Sequence, residues 1–148
     1  MKYIFSILLI FSFNISFSQM TVSEMMRVYK MDMDQFETFA INKGYKFYKF
    51  QKDENTYGHT YKKGYGENIK YLTLYSRFYS KGIYVYYQTS NSNEYLIFKN
   101  QLKNFGFVLT PSIEEVFREN PYKVYRNKTY EIDITTGNNG NFEIGLNK

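Results

Sequence analysis

Two short stretches of the chain, NKGYKF and NFGFVL, place a glycine between a helical apolar pattern and an alternating one. The glycines, Gly44 and Gly106, stand 62 positions apart. Helices commonly end on a residue with a left-handed backbone, which glycine adopts without steric cost. The aromatic residue after each glycine, Tyr45 or Phe107, can then pack back on the last helical turn. The sequence therefore predicts two helices that end at these glycines, and a strand that follows Gly44.

Capping residues predict where the first two helices begin. Thr21 and Glu24 form a capping box, in which each side chain satisfies a free backbone N–H group of the other. The next helix is predicted to begin at Asp32 or Asp34. Asp34 with Glu37 repeats the capping pattern, and carboxylates in a first turn are favoured by the helix dipole.

A third helix is predicted in the stretch that leads to Gly106. A serine or asparagine within residues 90–93 is expected to cap it. Its apolar residues recur at helical spacing and form a single stripe that would face the core. The stripe consists of Tyr95, Phe98, Leu102 and Phe105.

Alternating segments predict a sheet-rich remainder. Aromatic residues make up 21% of the chain, and such side chains suit a pleated surface. Residues 112–120 fit either a short helix or an irregular strand. The pattern as a whole predicts an α+β domain, in which a curved antiparallel sheet of about six to eight strands carries helices on one face. The strands are predicted at 45–51, 56–62, 69–76, 83–89, 122–126, 129–136 and 141–146, with 69–76 and 83–89 forming an antiparallel pair.

The two halves of the chain align in order. Residues 71–74 match 130–133, and 82–85 match 141–144, both at an offset of 59. The helix-ending glycines differ from that offset by only three positions. This order predicts two tandem helix-plus-strands repeats, at about 31–89 and 90–148, although any α+β protein can show coincidences of this kind.

Residues 1–18 have the pattern of a secretory signal peptide. Lys2 supplies a positive start, and the apolar run that follows is too short to span a bilayer. Ser16 and Ser18 then provide the small side chains that signal peptidase needs. We expect cleavage after Ser18, which leaves residues 19–148 as a single exported domain in the periplasm or outside the cell. The alternative is an uncleaved membrane anchor.

Composition narrows the classes of partner and of site. The chain has no cysteine, so an exported form would hold its fold without disulfides. Its formal net charge is +5, but the basic residues are scattered singly or in pairs such as Lys62 and Lys63. Without a basic run we expect no nucleic-acid partner. We also expect no stable membrane span after signal cleavage.

Reactive groups are sparse. His59 is the only histidine, and it fits a strand position between Tyr57 and Tyr61 better than the role of a general base. The adjacent Glu114 and Glu115 cannot share one face of a helix or a strand, which favours a solvated surface over a catalytic pair. The sequence therefore predicts no catalytic residue, no metal site and no cofactor.

One constellation suggests binding. If Leu72, Leu74 and Val85 face the core, period-two alternation turns their neighbours to the opposite face of the sheet. That face would combine tyrosines, which are rigid amphipathic anchors common in binding surfaces, with acids. The alternative is a set of cross-strand tyrosine pairs that stabilise a solvated sheet. The predicted binding residues are Tyr71, Tyr75, Tyr84, Tyr86, Glu131, Asp133 and Glu143.

The order of these elements resembles a known architecture. An export signal, a helix pair and antiparallel strands, repeated once, resemble the β-lactamase-inhibitor protein family. The chain is also similar to small secreted proteins of Bacteroidota, whose signal peptides often end in serine or alanine before a glutamine, as at Ser18 and Gln19. The resemblance implies a non-catalytic module that offers a sheet face to a protein partner. Members of the inhibitor family carry disulfides and this chain has none, so no inhibitory residue is transferred.

The expected function is therefore that of an exported, non-catalytic binding protein of the bacterial envelope or exterior. Its ligand would be a protein or a glycan. One alternative is a small hydrolase that acts on envelope polymers through His59 or a carboxylate pair. The other is a structural component of the envelope.

Overall fold

A computed structural model describes residues 19–77, 83–110, 122–137 and 139–148. The predicted signal peptide and the ambiguous segment 112–120 lie outside the described residues. Within them, the chain forms three α-helices and eight strands. No helix of these ranges is both long and apolar enough to cross a membrane.

The helices begin at capping residues. Thr21 and Glu24 form the predicted capping box. The second helix is capped by Asp32 with Gln35, so the prediction of an Asp34–Glu37 box was wrong. Asp32 has the extended backbone that a cap requires, whereas Asp34 already lies in the first turn. The helices are α1 (Val22–Val28), α2 (Met33–Asn42) and α3 (Ser92–Leu102), the last capped by Asn91.

Both predicted helix stops are confirmed. Gly44 and Gly106 have φ angles of +81° and +72°, in the left-handed region. The Tyr45 amide donates to the Ala40 carbonyl at 2.9 Å, and the Phe107 amide donates to the Leu102 carbonyl at 3.1 Å. Tyr45 and Phe107 are buried, as expected for the apolar contact that follows such a stop.

The end of α3 departs from the predicted stripe. Phe98 and Leu102 are buried, but Phe105 is 38% exposed. Residues Lys103–Phe105 form a 3₁₀ turn after α3. Because a 3₁₀ helix has three residues per turn, its last position rotates away from the face that the α-helical spacing predicts.

The strands lie within two residues of their predicted bounds, apart from the additional short strand Val108–Thr110. The largest shift is in the strand predicted at 129–136, which begins at Glu131. The Asn127 side chain accepts hydrogen bonds from the amides of Thr129 and Tyr130 and holds a turn before this strand. The eight strands are β1 (Lys46–Lys52), β2 (Thr56–Lys63), β3 (Lys70–Arg77), β4 (Ile83–Thr89), β5 (Val108–Thr110), β6 (Tyr122–Arg126), β7 (Glu131–Thr136) and β8 (Phe142–Asn147).

All eight strands form one antiparallel sheet in the order β1-β2-β3-β4-β8-β7-β6-β5. The first four strands occupy one half of the sheet in chain order. The last four occupy the other half in reverse order, so that β4 and β8 pair at the centre.

The helices pack on one face of this sheet, which we call the inner face. Phe36 of α2 meets Tyr61 of β2 edge to face, with ring centroids 5.4 Å apart. Tyr95 of α3 stacks on Phe142 of β8, with ring centroids 4.1 Å apart. The inner-face core residues of the sheet are Tyr61, Leu72, Leu74, Val85, Tyr87, Tyr125, Ile132, Ile134, Ile144 and Leu146.

A buried polar cluster joins α3 to the inner face. Glu94, in the first turn of α3, forms a salt bridge with Lys70 of β3. It also accepts hydrogen bonds from the Tyr87 hydroxyl at 2.9 Å and the Thr89 hydroxyl at 3.1 Å. A buried carboxylate is tolerated when it is paired and hydrogen-bonded, and this cluster meets both conditions.

We predict that Lys70→Met strongly destabilises the fold. The substitution removes the positive partner and leaves the Glu94 charge buried, which typically costs about 3–5 kcal/mol. Urea unfolding would measure the loss. Lys123→Met, at an exposed strand position, is the matched control and should leave stability close to that of the original chain. A Lys70→Met protein as stable as this control would contradict the role given to the pair.

Candidate functional site

The face of the sheet opposite the helices, which we call the outer face, carries all seven predicted binding residues. Their strands are neighbours, and the register places Tyr75 opposite Tyr84 and Asp133 opposite Gly145. Glu143 lies opposite Gln88. The face therefore brings together side chains from β3, β4, β8 and β7 that are up to 72 positions apart in the chain, from Tyr71 to Glu143.

The central feature of the outer face is a cleft of about 290 Å³, which we call the tyrosine cleft. Its floor includes Thr60 and Thr73, which are only 3% and 2% exposed although they face away from the helices. Their hydroxyl oxygens are 2.9 Å apart. The tall aromatic side chains around the two threonines cover them, and the cleft follows from this difference in height. The lining residues are Tyr48, Lys49, Gln51, Thr60, Tyr71, Thr73, Tyr75, Tyr86 and Gln88.

Hydrogen bonds fix the walls of the tyrosine cleft. The Gln51 side-chain oxygen accepts from the Tyr75 hydroxyl at 3.1 Å and from the Thr60 hydroxyl at 3.4 Å. Because the amide oxygen takes both bonds, the amide N–H₂ group of Gln51 remains as a donor for a ligand. The Tyr86 hydroxyl donates to Gln88 at 3.4 Å. The cleft thus offers hydroxyl and amide groups beside aromatic rings.

Two glycines let tyrosine rings lie flat on the outer face. A Cβ atom at Gly58 would stand 2.5 Å from the Tyr75 ring. A Cβ atom at Gly145 would stand 1.8 Å from the Tyr84 hydroxyl oxygen. Glycine within a strand often marks such a close approach. The sequence did not predict these two glycines as part of the site, because a single glycine in a strand does not indicate which side chain of a neighbouring strand lies over it.

Tyr84 and Asp133 form a half-buried pair at one end of this arrangement. The Tyr84 hydroxyl donates to the Asp133 carboxylate at 3.1 Å. Burial raises the pKa of Tyr84, and the charge of Asp133 raises it further. Burial also raises the pKa of Asp133 above its ordinary value, against the opposing effect of the hydrogen bond from Tyr84. Acids with pKa values perturbed by burial are common at functional sites.

The three predicted acids differ in their surroundings. The charge of Glu143 adds to burial in raising the pKa of Tyr86, so this acid lies close to the tyrosine cleft. Glu131 instead accepts a hydrogen bond from the Arg126 side chain at 2.5 Å, between β6 and β7. The structure therefore brings Asp133 and Glu143 next to tyrosines, and pairs Glu131 with an arginine.

His59 lies on the inner face, away from these acids. Its ring centroid is 6.2 Å from that of Phe47 and 5.1 Å from that of Phe50. It is thus separated by the sheet from Glu131, Asp133 and Glu143. Among the described residues, no group of histidines and acids has the arrangement of a metal site.

Sequence reasoning missed the contribution of the first two strands to the tyrosine cleft. A β-bulge between Phe47 and Lys49 shifts the register of β1 against β2. The Tyr48 ring lies over the outer face, with its centroid 5.5 Å from that of Tyr71. Beyond the bulge, Lys49 and Gln51 also lie on the outer face, opposite Thr60 and Gly58. The alternation of β2 could have placed Thr60 on the outer face. The bulge interrupts the alternation of β1, so the sequence did not show that Gln51 lies on the same face.

Comparison with known proteins gives no family assignment: no protein-family model matches the chain, and neither the curated proteins nor the solved structures contain a significant match.

We predict that Gly145→Ala displaces Tyr84 from the sheet. The added methyl group overlaps the tyrosine hydroxyl, and overpacking of this kind typically costs about 1–3 kcal/mol. Urea unfolding of both single variants and of Gly145→Ala combined with Tyr84→Ser would form a double-mutant cycle. The cost of the methyl group should fall once the tyrosine is absent, and the remainder is the contact with Asp133 Oδ1, which the Cβ atom would meet at 2.7 Å. An equal cost in both backgrounds would contradict the proposed contact.

A second prediction concerns Asp133. Its raised pKa means that the charged form is disfavoured in the fold, so the ionised carboxylate costs stability above that pKa. Asp133→Asn keeps an acceptor for Tyr84 and should stabilise the protein at pH 7 by up to about 1 kcal/mol. The advantage should shrink as the pH falls through the raised pKa and vanish below the ordinary value of about 3.9.

Chemical unfolding between pH 3 and pH 7 would measure this effect. Glu54→Gln, at an exposed position in the turn after β1, is the matched change of charge. An Asp133→Asn protein that is less stable than the original chain at pH 7 would show that the charge of the acid contributes more than its burial costs.

Proposed function

We propose that this chain is an exported, non-catalytic binding protein of the bacterial envelope or exterior, and that the tyrosine cleft takes a glycan. The observation that carries the proposal is the cleft itself, with aromatic walls above a floor of threonine hydroxyls. Its volume of about 290 Å³ is at the lower end of the range for small-ligand sites. That space suits one or two sugar rings of a longer chain.

The chemistry of the lining favours a polyhydroxylated ligand. A sugar ring has an apolar C–H face that can lie on a tyrosine ring, and hydroxyl groups around its edge that need hydrogen-bond partners. Tyr71 and Tyr86 supply rings, whereas Gln51, Gln88 and the threonine floor supply donors and acceptors. The Tyr86 hydroxyl already donates its proton to Gln88, so its oxygen remains as an acceptor for a sugar hydroxyl.

A protein partner fits the cleft less well. Protein interfaces of standard size bury about 800 Å² on each partner and centre on apolar anchors that fill pockets. Here the deepest groups are the hydroxyls of Thr60 and Thr73, so the base of the cleft is polar and does not match an apolar anchor. A hydrolase that pairs His59 with Glu131, Asp133 or Glu143 is disfavoured because the sheet separates them.

We further infer that the two halves of the chain are tandem units. Each half contributes a helix that leads to a left-handed glycine and then four antiparallel strands. The sheet order mirrors about the β4–β8 pair, which is the order that two such units give when their last strands pair.

The glycan proposal predicts a loss of binding when the cleft loses its rings. The purified protein would be screened on a panel of peptidoglycan fragments and bacterial surface polysaccharides, and hits would be titrated by calorimetry. Combined replacement Tyr71→Ser and Tyr86→Ser should weaken binding about tenfold or more, since each aromatic contact contributes about 0.5–1.5 kcal/mol. Tyr65→Ser removes a tyrosine that is 86% exposed and outside the cleft, and it should have no effect.

Two results would overturn the glycan assignment. One is the absence of binding to every member of the panel. The other is an equal loss for Tyr65→Ser, which would show that exposed tyrosines bind non-specifically. Capture of a protein partner that depends on Tyr71 and Tyr86 would assign the same face to a protein ligand instead.

A further inference from the structure

A second cleft lies at the other end of β1 and β2, beside the end of α2. It has a volume of about 440 Å³, and we call it the lysine cleft. Its lining combines three lysines with three aromatic rings, contributed by β1, β2 and the loop that follows β2. The six side chains are Lys46, Lys62, Lys63, Phe47, Tyr48 and Tyr65.

The cations of the lysine cleft lack carboxylate partners in the part of the chain that the structure describes. The Lys63 ammonium group donates to the Lys43 carbonyl at 2.6 Å and lies 5.7 Å from the centre of the Tyr45 ring. The Lys62 ammonium group lies 5.5 Å from the centre of the Tyr48 ring. These contacts hold the lysines in place, and Glu94, whose charge acts on Lys63, is already paired with Lys70.

Two acids near Tyr45 are already paired with lysines outside the cleft. Glu24 forms a salt bridge with Lys43, with the charged atoms 2.6 Å apart. Glu94 forms its salt bridge with Lys70. The pKa of Lys63 is lowered, first by burial and then by the positive charges of Lys70 and Lys43. The charge of Glu94 opposes this shift, and an anion bound in the cleft would oppose it further.

The aromatic residues give the cleft a second property. Phe47 is 56% exposed, Tyr48 is 49% exposed and Tyr65 is 86% exposed. Large exposed rings beside cations suit a ligand that is charged at one end and apolar or ring-shaped at the other. A simple inorganic anion would use the lysines and leave the rings in water.

We propose that the lysine cleft binds a phosphate-bearing ligand, with the phosphate among Lys46, Lys62 and Lys63 and its organic portion against Phe47 and Tyr65. Three lysines that line one cleft match the charge and the acceptor oxygens of a phosphate group. The ligand is either a phospholipid headgroup at a membrane surface or a soluble phosphate ester. This site is separate from the tyrosine cleft, although Tyr48 lines both clefts.

The test compares two lysine-to-glutamine sets that change the net charge equally. The site variant is Lys46→Gln, Lys62→Gln and Lys63→Gln. The control variant is Lys30→Gln, Lys103→Gln and Lys128→Gln, at exposed positions outside both clefts. Binding would be measured to sn-glycerol 3-phosphate by calorimetry, and to vesicles of phosphatidylcholine with or without phosphatidylglycerol by sedimentation.

The original chain should bind at least one phosphate probe. The affinity of the site variant for that probe should be lower by about tenfold or more. The control variant should retain the binding. Preference for vesicles that contain phosphatidylglycerol would assign the site to a lipid headgroup, and binding of glycerol phosphate alone would assign it to a soluble ester. Because Lys63 also holds the Lys43 carbonyl, Lys46→Gln with Lys62→Gln serves as a second variant that leaves that contact intact, and it should show an intermediate loss.

Failure of the original chain to bind any of the phosphate probes would overturn the proposal. An equal loss in the site and control variants would also overturn it, since diffuse positive charge would then explain the binding. Neither result bears on the tyrosine cleft, because the glycan-binding test replaces Tyr71 and Tyr86 and uses glycans as probes.

Discussion

The buried carboxylate of Glu94 is the interaction on which the arrangement of this sheet depends. Glu94 lies in the first turn of α3, in the second half of the chain, and its partners Lys70, Tyr87 and Thr89 lie on β3 and β4 in the first half. A buried charge has few acceptable surroundings, so these four groups specify how α3 enters the domain. Because β4 is also the strand that pairs with β8, the same cluster fixes the junction between the halves.

The outer face shows a different balance, in which packing brings polar groups into half-buried positions. Gly58 and Gly145 have no side chains, and the rings of Tyr75 and Tyr84 occupy the space beside them. Asp133 is held beside Tyr84 where burial disfavours its charge.

Charge is distributed unevenly across the sheet. The lysine cleft lies at β1 and β2, on one edge of the sheet. The acids next to the tyrosines lie on β7 and β8. The Tyr48 ring lies between the two clefts and has the Lys62 and Lys49 ammonium groups near its face. Positive charge on the outer face therefore lies towards β1 and β2, and negative charge lies towards β7 and β8.

The sequence alone determined the elements that depend on neighbouring residues. The capping box of Thr21, the glycine stops at Gly44 and Gly106 and the alternation of β3 and β4 are local, and alternation was enough to place Tyr71, Tyr75, Tyr84 and Tyr86 on one face. Only the tertiary structure decided the rest. The pairing of β4 with β8 and the salt bridge between Glu94 and Lys70 join residues far apart in the chain, and the bulge in β1 breaks the alternation from which the face of Gln51 would be read. No local pattern encodes which distant strand or side chain a residue will meet.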